Sequence, residues 1–294
     1  MVAKFTNEVK ILLKKEVIME IRHSVHPDHA KHFTSDDLIK NFLVKSLFKK
    51  DEINLIYSHI DRIIVGGINP VDKELLLKAG KEIGVNYFLE RREMGIINIA
   101  GSGIITIDGK KYTLDNRDAL YIGMGTKEVG FSSVDKKNPA RFYINSAPAH
   151  SAYSTTKISI KDANKVELGS LEESNKRTIY QYIHPDILKT CQLIMGLTIL
   201  EPNNVWNTMP CHTHDRRMEV YFYFDMEPDS VVFHLFGEPT ETRHIIVRNE
   251  EAVIIPSWSI HAGIGTRNYT FIWGMVGENQ TFTDMDQIPM SVLK

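Results

Sequence analysis

Apolar and polar positions follow different rhythms along the chain. Over residues 5–20 the apolar residues are interrupted by Lys10, Lys14, Lys15 and Glu16, which predicts a short amphipathic helix. Leu38, Phe42, Leu43 and Leu47 recur at helical spacing behind Asp36 and Asp37, predicting a second helix over residues 35–48. Between the two lie His23, His26, His29 and His32. Pro27 and the charges among them favour a solvated segment over a metal-binding helix face.

Beyond residue 53 short apolar runs are punctuated by glycine, as in residues 61–67 and 96–103, the pattern of strands and turns. Residues 104–114 read as a hairpin with Asp108 and Gly109 at its turn, the type I′ signal that matches the twist of the flanking strands. A polar, lysine-rich passage over residues 135–173 lacks periodicity except near Ile158 and Ile160, and it separates two strand-rich halves. The halves share a weak repeat. Arg117-Asp-Ala-Leu-Tyr-Ile-Gly-Met-Gly-Thr-Lys-Glu128 aligns without gaps with Glu250-Glu-Ala-Val-Ile-Ile-Pro-Ser-Trp-Ser-Ile-His261. The expected fold is therefore mostly β with a few short helices, two duplicated barrels whose closure removes exposed sheet edges. Its expected divisions are an N-terminal extension over residues 1–18, a first barrel over 19–150, a linker over 151–175 and a second barrel over 176–294.

Composition narrows the function without choosing it. With 35 Lys and Arg against 37 Asp and Glu, the formal charge of −2 offers no field for a polyphosphate backbone, so no nucleic-acid partner is expected. No run approaches the ~18 apolar residues of a membrane-spanning helix, and the N-terminus lacks a signal-peptide core. Two cysteines, Cys191 and Cys211, are too few to staple a chain of 294 residues, which points to a reducing, cytoplasmic setting.

Candidate chemistry concentrates in Met209-Pro-Cys-His-Thr-His-Asp-Arg-Arg-Met-Glu-Val-Tyr-Phe-Tyr-Phe224. On an extended strand, residues two apart share a face, so His212 and His214 point into one cavity as a chelating pair. After a turn Glu219 faces the same cavity, together with Tyr221 and Tyr223, while Val220, Phe222 and Phe224 face away. Pro256-Ser-Trp-Ser-Ile-His261 supplies a third imidazole. Three imidazoles and one carboxylate suit a divalent first-row ion; zinc, manganese, iron, nickel and cobalt all remain open by ligand softness. Cys211 points the other way and is read as a bystander. In the first half, Glu128 stands where His261 does, and Glu90-Arg-Arg-Glu93 carries no His-x-His, so that barrel is expected to be metal-free. Arg216 and Arg217, in the turn before Glu219, can offer a guanidinium fork to a carboxylate. Arg177, Arg243 and Lys189 are weaker candidates for the same anion-binding role.

His-x-His-x4-Glu with a downstream Pro-x4-His, in a duplicated β pattern, resembles the metal-binding motif of the cupin superfamily. More specifically, Tyr57-Ser-His-Ile-Asp-Arg-Ile-Ile-Val-Gly-Gly67, Tyr87-Phe-Leu-Glu-Arg-Arg-Glu93, Trp206-Asn-Thr-Met-Pro-Cys-His-Thr-His214 and Phe271-Ile-Trp-Gly-Met-Val-Gly-Glu-Asn279 resemble the 5-keto-4-deoxyuronate isomerase family, also called the 4-deoxy-L-threo-5-hexosulose-uronate ketol-isomerases. The likeness runs from about Met19 to the C-terminus. It implies a bicupin of two double-stranded β-helix (jelly-roll) barrels. It also implies one Zn2+ per chain on His212, His214, Glu219 and His261, a hexamer, and a cytoplasmic ketol-isomerase of pectin breakdown. That reaction would carry 4-deoxy-L-threo-5-hexosulose uronate to 3-deoxy-D-glycero-2,5-hexodiulosonate through a cis-enediol, with no net redox change. Arg217, then Arg216, is the expected holder of the substrate carboxylate. Tyr221 and Tyr223 are candidate proton carriers, with His234 and His244 nearby in sequence, and spacing alone assigns none of them. The alternatives are a cupin dioxygenase or decarboxylase using iron or manganese, and a non-catalytic sugar-binding cupin.

Overall fold

The computed structural model describes residues 19–294, so most of the helix expected over 5–20 and all of the 1–18 extension lie outside it. Four sheets make up two similar halves. In the first half a seven-stranded sheet runs, by position, Glu20–Arg22, Ile53–Ser58, Ile64–Ile68, Phe142–Pro148, Arg92–Asn98, Ala119–Ile122 and Thr156–Ile158. In the second the order is Asn164–Leu168, Arg177–Ile183, Ile194–Leu200, Thr270–Gly277, Arg217–Phe224, Glu251–Ile255 and Leu43–Val44. A smaller sheet of four or five strands faces each of them. The same strand sequence thus recurs in both halves, giving the mostly β pair of jelly rolls. Among the described residues no helix is long and apolar enough to cross a membrane.

Local signals explain several elements. Gly103–Ile107 and Lys110–Leu114 form the expected hairpin, with Asp108 and Gly109 both at positive φ (44° and 84°), as a type I′ turn requires. The helix expected over 35–48 is shorter. It starts at a capping box between Thr34 and Asp37, spans Ser35–Phe42, and stops because Leu43 and Val44 pair with Val253 and Ala252 of the second half. A segment between the first two strands of the first sheet, inside the span expected for the first barrel, therefore supplies an edge strand to the other one. The polar passage over 135–173 also holds more structure than its composition announced. Phe142–Pro148 is a central, buried strand whose polar residues find partners inside the core: Asn145 donates to the Tyr143 hydroxyl, and Ser146 Oγ donates to the Glu93 carbonyl. Thr156–Ile158 then borders the first sheet, and Asn164–Leu168 borders the second.

The two seven-stranded sheets pack face to face. Ile97, Tyr121 and Tyr143 from the first meet Met218, Val220, Phe222 and Phe224 from the second in one core, where the Tyr143 and Phe222 rings stack at 4.4 Å. At Gly95 a Cβ would fall 2.5 Å from Ile183 Cδ1 and 2.9 Å from Met195 Sδ, so any larger residue would push these side chains of the second half aside. A buried carboxylate fastens the contact. Glu93 Oε1 accepts the N–H groups of Gln192 and Leu193, and Oε2 accepts Cys191 N–H and the Tyr121 hydroxyl, all at 2.7–2.8 Å. Glu93 thereby ties the first barrel to the loop that opens the strand Ile194–Leu200 of the second.

Removing this carboxylate strands three backbone donors in a dry interface. Glu93→Ala is expected to lower unfolding free energy by about 3–5 kcal/mol. A urea midpoint within error of the parent would show that the pin contributes nothing.

Candidate metal centre

The two sheets of the second barrel each contribute to one buried point. His212, near the end of Trp206–Thr213, lies directly across from His261 at the head of His261–Gly265, so both rings share the inner face of the smaller sheet. His214 follows just past its strand end. Glu219 comes from the opposing sheet, on Arg217–Phe224, with Tyr221 and Tyr223 on the same face. None of the four ligand-type residues is more than 6% exposed. Their donor atoms lie within 4.8 Å of one another. His212 Nε2 is 3.0 Å from both His214 Nε2 and His261 Nε2, while Glu219 oxygens stand 3.1 Å from His214 Nε2 and 3.3 Å from His261 Nε2.

Burial pushes the His212 imidazole down to about 4, and the His261 imidazole well below its ordinary value. Burial alone would raise the Glu219 carboxyl, but contacts with His261 and His214 outweigh it and hold the group well below the usual carboxylate range. Neutral imidazoles of His212 and His261 therefore face an ionised carboxylate. His214 Nδ1 sits 2.8 Å from the Asp284 carbonyl and 3.3 Å from Arg217 Nη2; with its proton on the shorter contact, to the carbonyl, Nε2 is left free as a ligand. Glu219 Oε2 is buried without a hydrogen-bond donor. A carboxylate oxygen left bare among converging imidazole nitrogens is what a divalent cation would complete, and the three-nitrogen, one-carboxylate donor set suits a first-row metal.

A cavity of about 270 Å³ opens onto His212 and Glu219 and is walled by Tyr221, Thr208, Arg177, Trp273 and Gln287 among others. Thr208, Met209 and Pro210 reach its wall through a bulge, because the steps from Asn207 to His212 outnumber those from Gly263 to His261 across the ladder. The Tyr221 phenol lies 3.3 Å from Thr208 Oγ1, and burial, reinforced by Glu219, raises it well above 10 and keeps it a donor. Tyr223 points deeper, with its hydroxyl 2.7 Å from His234 Nδ1, and does not line the cavity. His244 is exposed beside Phe233. Cys211 packs in a separate apolar cluster with Ile260 and Ala262.

The expected anion holders are engaged elsewhere. Arg217, fully buried, donates to the carbonyls of Thr281, Phe282 and Asp284. Arg216 makes a two-pronged ion pair with Asp284 and a further contact with Asp286. Together they clamp the C-terminal segment that brings Gln287 to the cavity and the Asp284 carbonyl to His214. Arg243 pairs with Glu241. Neither Arg243 nor Lys189 lines the cavity, whereas Arg177 does. No local pattern marked the roles of Asp284 and Gln287, since both act through segments some seventy residues from the histidine motif; the only signal for Asp284 was charge complementary to the Arg216-Arg217 pair, and Gln287 had none. In the first barrel Met94 takes the ladder position of Glu219: it pairs with Ile122 and Ser146 as Glu219 pairs with Ile255 and Met275. Apolar residues, Ile96, Ile105 and Phe131 among them, fill that interior. Glu128, aligned with His261, is exposed.

Comparison with known proteins places the chain among relatives. Residues 42–290 match the model of the KduI/IolB family. A 4-deoxy-L-threo-5-hexosulose-uronate ketol-isomerase of Caldicellulosiruptor bescii is 60% identical over 94% of this chain and all of its own. Counterparts of the same name from Lachnoclostridium phytofermentans and Yersinia pestis are 61% and 58% identical over the same shares. Among solved structures, an IolB-like protein of Salmonella typhimurium superposes with a TM-score of 0.69 at 14% identity, covering 84% of this chain and 97% of that one. Bacillus subtilis oxalate decarboxylase gives 0.53 at 9% identity, over 76% and 71%. At such identities the two structures speak to the cupin fold alone.

The buried imidazoles make the metal-free protein acid-sensitive. His212 at about 4 and His234 at about 3, both driven down by burial from 6.5, stay neutral in the folded chain while the unfolded chain protonates them. The unfolded state thus binds more protons below pH 6.5, and stability should fall as pH drops from 6.5 towards 4, by up to about 1.4 kcal/mol per pH unit per imidazole. Urea midpoints of chelator-treated protein at pH 7.5, 6 and 5 measure this; a flat series would contradict it.

Proposed function

The chain belongs to the KduI/IolB family, and on that premise we propose that it is a ketol-isomerase converting 4-deoxy-L-threo-5-hexosulose uronate to 3-deoxy-D-glycero-2,5-hexodiulosonate. The observation that carries the reading is a three-imidazole, one-carboxylate cluster opening onto a cavity of sugar-acid size, in a chain about 60% identical to proteins of that name. His212, His214, Glu219 and His261 would hold one divalent ion, proposed to be zinc, since the reaction needs no change of oxidation state. When bound, the ion supplies Lewis-acid compensation for charge on the substrate's neighbouring oxygens.

The remaining work falls to the chain. Isomerisation moves one hydrogen from C2 to C1 and one from the C2 hydroxyl to the C1 oxygen, so the atoms balance without a co-reactant. Tyr221, held protonated beside Glu219, can donate to a substrate oxygen at the cluster. Phe271, Trp273 and Met275 make the wall apolar, which keeps water from competing for the reacting carbons. Tyr223, one layer deeper and bonded to His234, supports the position of Tyr221. The hexameric assembly and the cytoplasmic place in pectin breakdown implied by the sequence resemblance go with this reading.

Incubation of the purified protein with unsaturated-uronate breakdown products should yield the 2,5-diketo product by NMR, and chelation should abolish turnover until zinc is restored. Unchanged substrate, or oxygen consumption during the assay, would reject the isomerase reading. His212→Ala, His214→Ala, Glu219→Ala and His261→Ala should each weaken metal binding at least tenfold and reduce turnover by more than a hundredfold. Full metal content with normal turnover in His261→Ala would exclude the proposed ligand set. Glu128→Ala should leave one ion per chain by elemental analysis, and two tightly held ions per chain would contradict a metal-free first barrel.

A further inference from the structure

The cavity holds a cation that the metal cluster does not use. Arg177 opens the strand Arg177–Ile183, three places from Arg217–Phe224 in the sheet order, a separation of about 14 Å along the sheet. Its side chain enters the same cavity as His212 and Glu219, lining it together with Tyr221 and Trp273. Among the described residues its one hydrogen bond is from Nη1 to the Asn175 carbonyl at 2.8 Å, and no carboxylate pairs with it. A guanidinium has five N–H donors, so most of them remain free to meet a ligand. The neighbouring walls, Ile179, Phe271 and Trp273, offer no acceptor charge. Arg216 and Arg217, by contrast, spend their donors on the C-terminal segment. A partly desolvated guanidinium lacking a counter-charge, in a largely apolar cavity, is complemented by a carboxylate carried in by the ligand.

We propose that Arg177 is the carboxylate anchor of the site and makes it selective for uronates over neutral sugars. The inference rests on the isomerase reading and adds the substrate's orientation. The carboxylate and the reacting C1–C2 pair occupy opposite ends of a six-carbon chain, so anchoring C6 at Arg177 delivers C1 and C2 to the cluster. Fixing both ends also holds the chain extended along the cavity.

The experiment uses zinc-loaded full-length protein and its Arg177→Gln and Arg177→Lys variants, each checked for metal content. Two substrates are compared: the deoxyhexosulose uronate and its neutral C6 methyl ester. The parent should prefer the acid, and Arg177→Gln should lower that preference in kcat/KM by about 10- to 100-fold, mainly through KM, with zinc content unchanged. Arg177→Lys, which keeps the charge and loses the fork, should fall between them and serves if the glutamine variant does not fold. A preference that survives in the variant, or an equal loss on both substrates, overturns the anchor while leaving the isomerase reading intact. If the parent turns over neither substrate, the isomerase reading fails, and equilibrium binding of the acid decides the anchor separately. Tenfold or greater weakening in Arg177→Gln supports it, whereas unchanged binding, or no binding by the parent, overturns it.

Discussion

Strand Arg217–Phe224 is buried along its whole length, and a strand dry on both faces needs cover on both sides. That requirement organises the molecule. One face, Met218, Val220, Phe222 and Phe224, is covered by the large sheet of the first barrel; the other, Arg217, Glu219, Tyr221 and Tyr223, looks into its own barrel. Each fully buried side chain of this size contributes roughly 1.5–3 kcal/mol, so the contact between the sheets is a large share of what holds the two halves together. The Glu93 carboxylate adds direction to a contact that apolar packing alone would leave free to slide.

The same packing fixes the candidate centre. His212 and His261 come from the small sheet and Glu219 from the large one, so the cluster forms only when the barrel closes at the right register. With the outer face of Arg217–Phe224 locked against the first barrel, Glu219 has little freedom to drift from the imidazoles. The first barrel has the same strand order but places Met94 at the equivalent ladder position, and it fills its interior with aliphatic and aromatic side chains. One barrel thus serves as packing and the other as a site, with the distinction set by a handful of inward positions rather than by the fold.

Charge is distributed by the same logic. A buried guanidinium is tolerated where carbonyls or carboxylates surround it, which describes Arg217 among three carbonyls, while the more exposed Arg216 pairs with Asp284 beside it. Their work is to hold the C-terminal segment against the barrel mouth, where it orients His214 through the Asp284 carbonyl and walls the cavity with Gln287. Arg177 is the exception, a guanidinium facing open space inside the barrel.

Sequence alone determined what depends on short spacing. The two-residue period of an extended chain put Glu219, Tyr221 and Tyr223 on one face and Val220, Phe222 and Phe224 on the other. His-x-His set two imidazoles side by side, and Asp108-Gly109 fixed a hairpin through positive φ. Tertiary structure decided whatever depends on a distant partner. The helix stops at Phe42 because Leu43 pairs with Val253, more than two hundred residues on. Phe142–Pro148 is a core strand because Ile64–Ile68 and Arg92–Asn98 pair with it on either side and the Glu93 carbonyl accepts from Ser146 Oγ. Arg216 and Arg217 serve the C-terminal segment, leaving Arg177 to face the cavity. Periodicity reports which way a side chain points from its own strand; what it meets there depends on which strands the closing sheets bring opposite, and no local pattern carries that information.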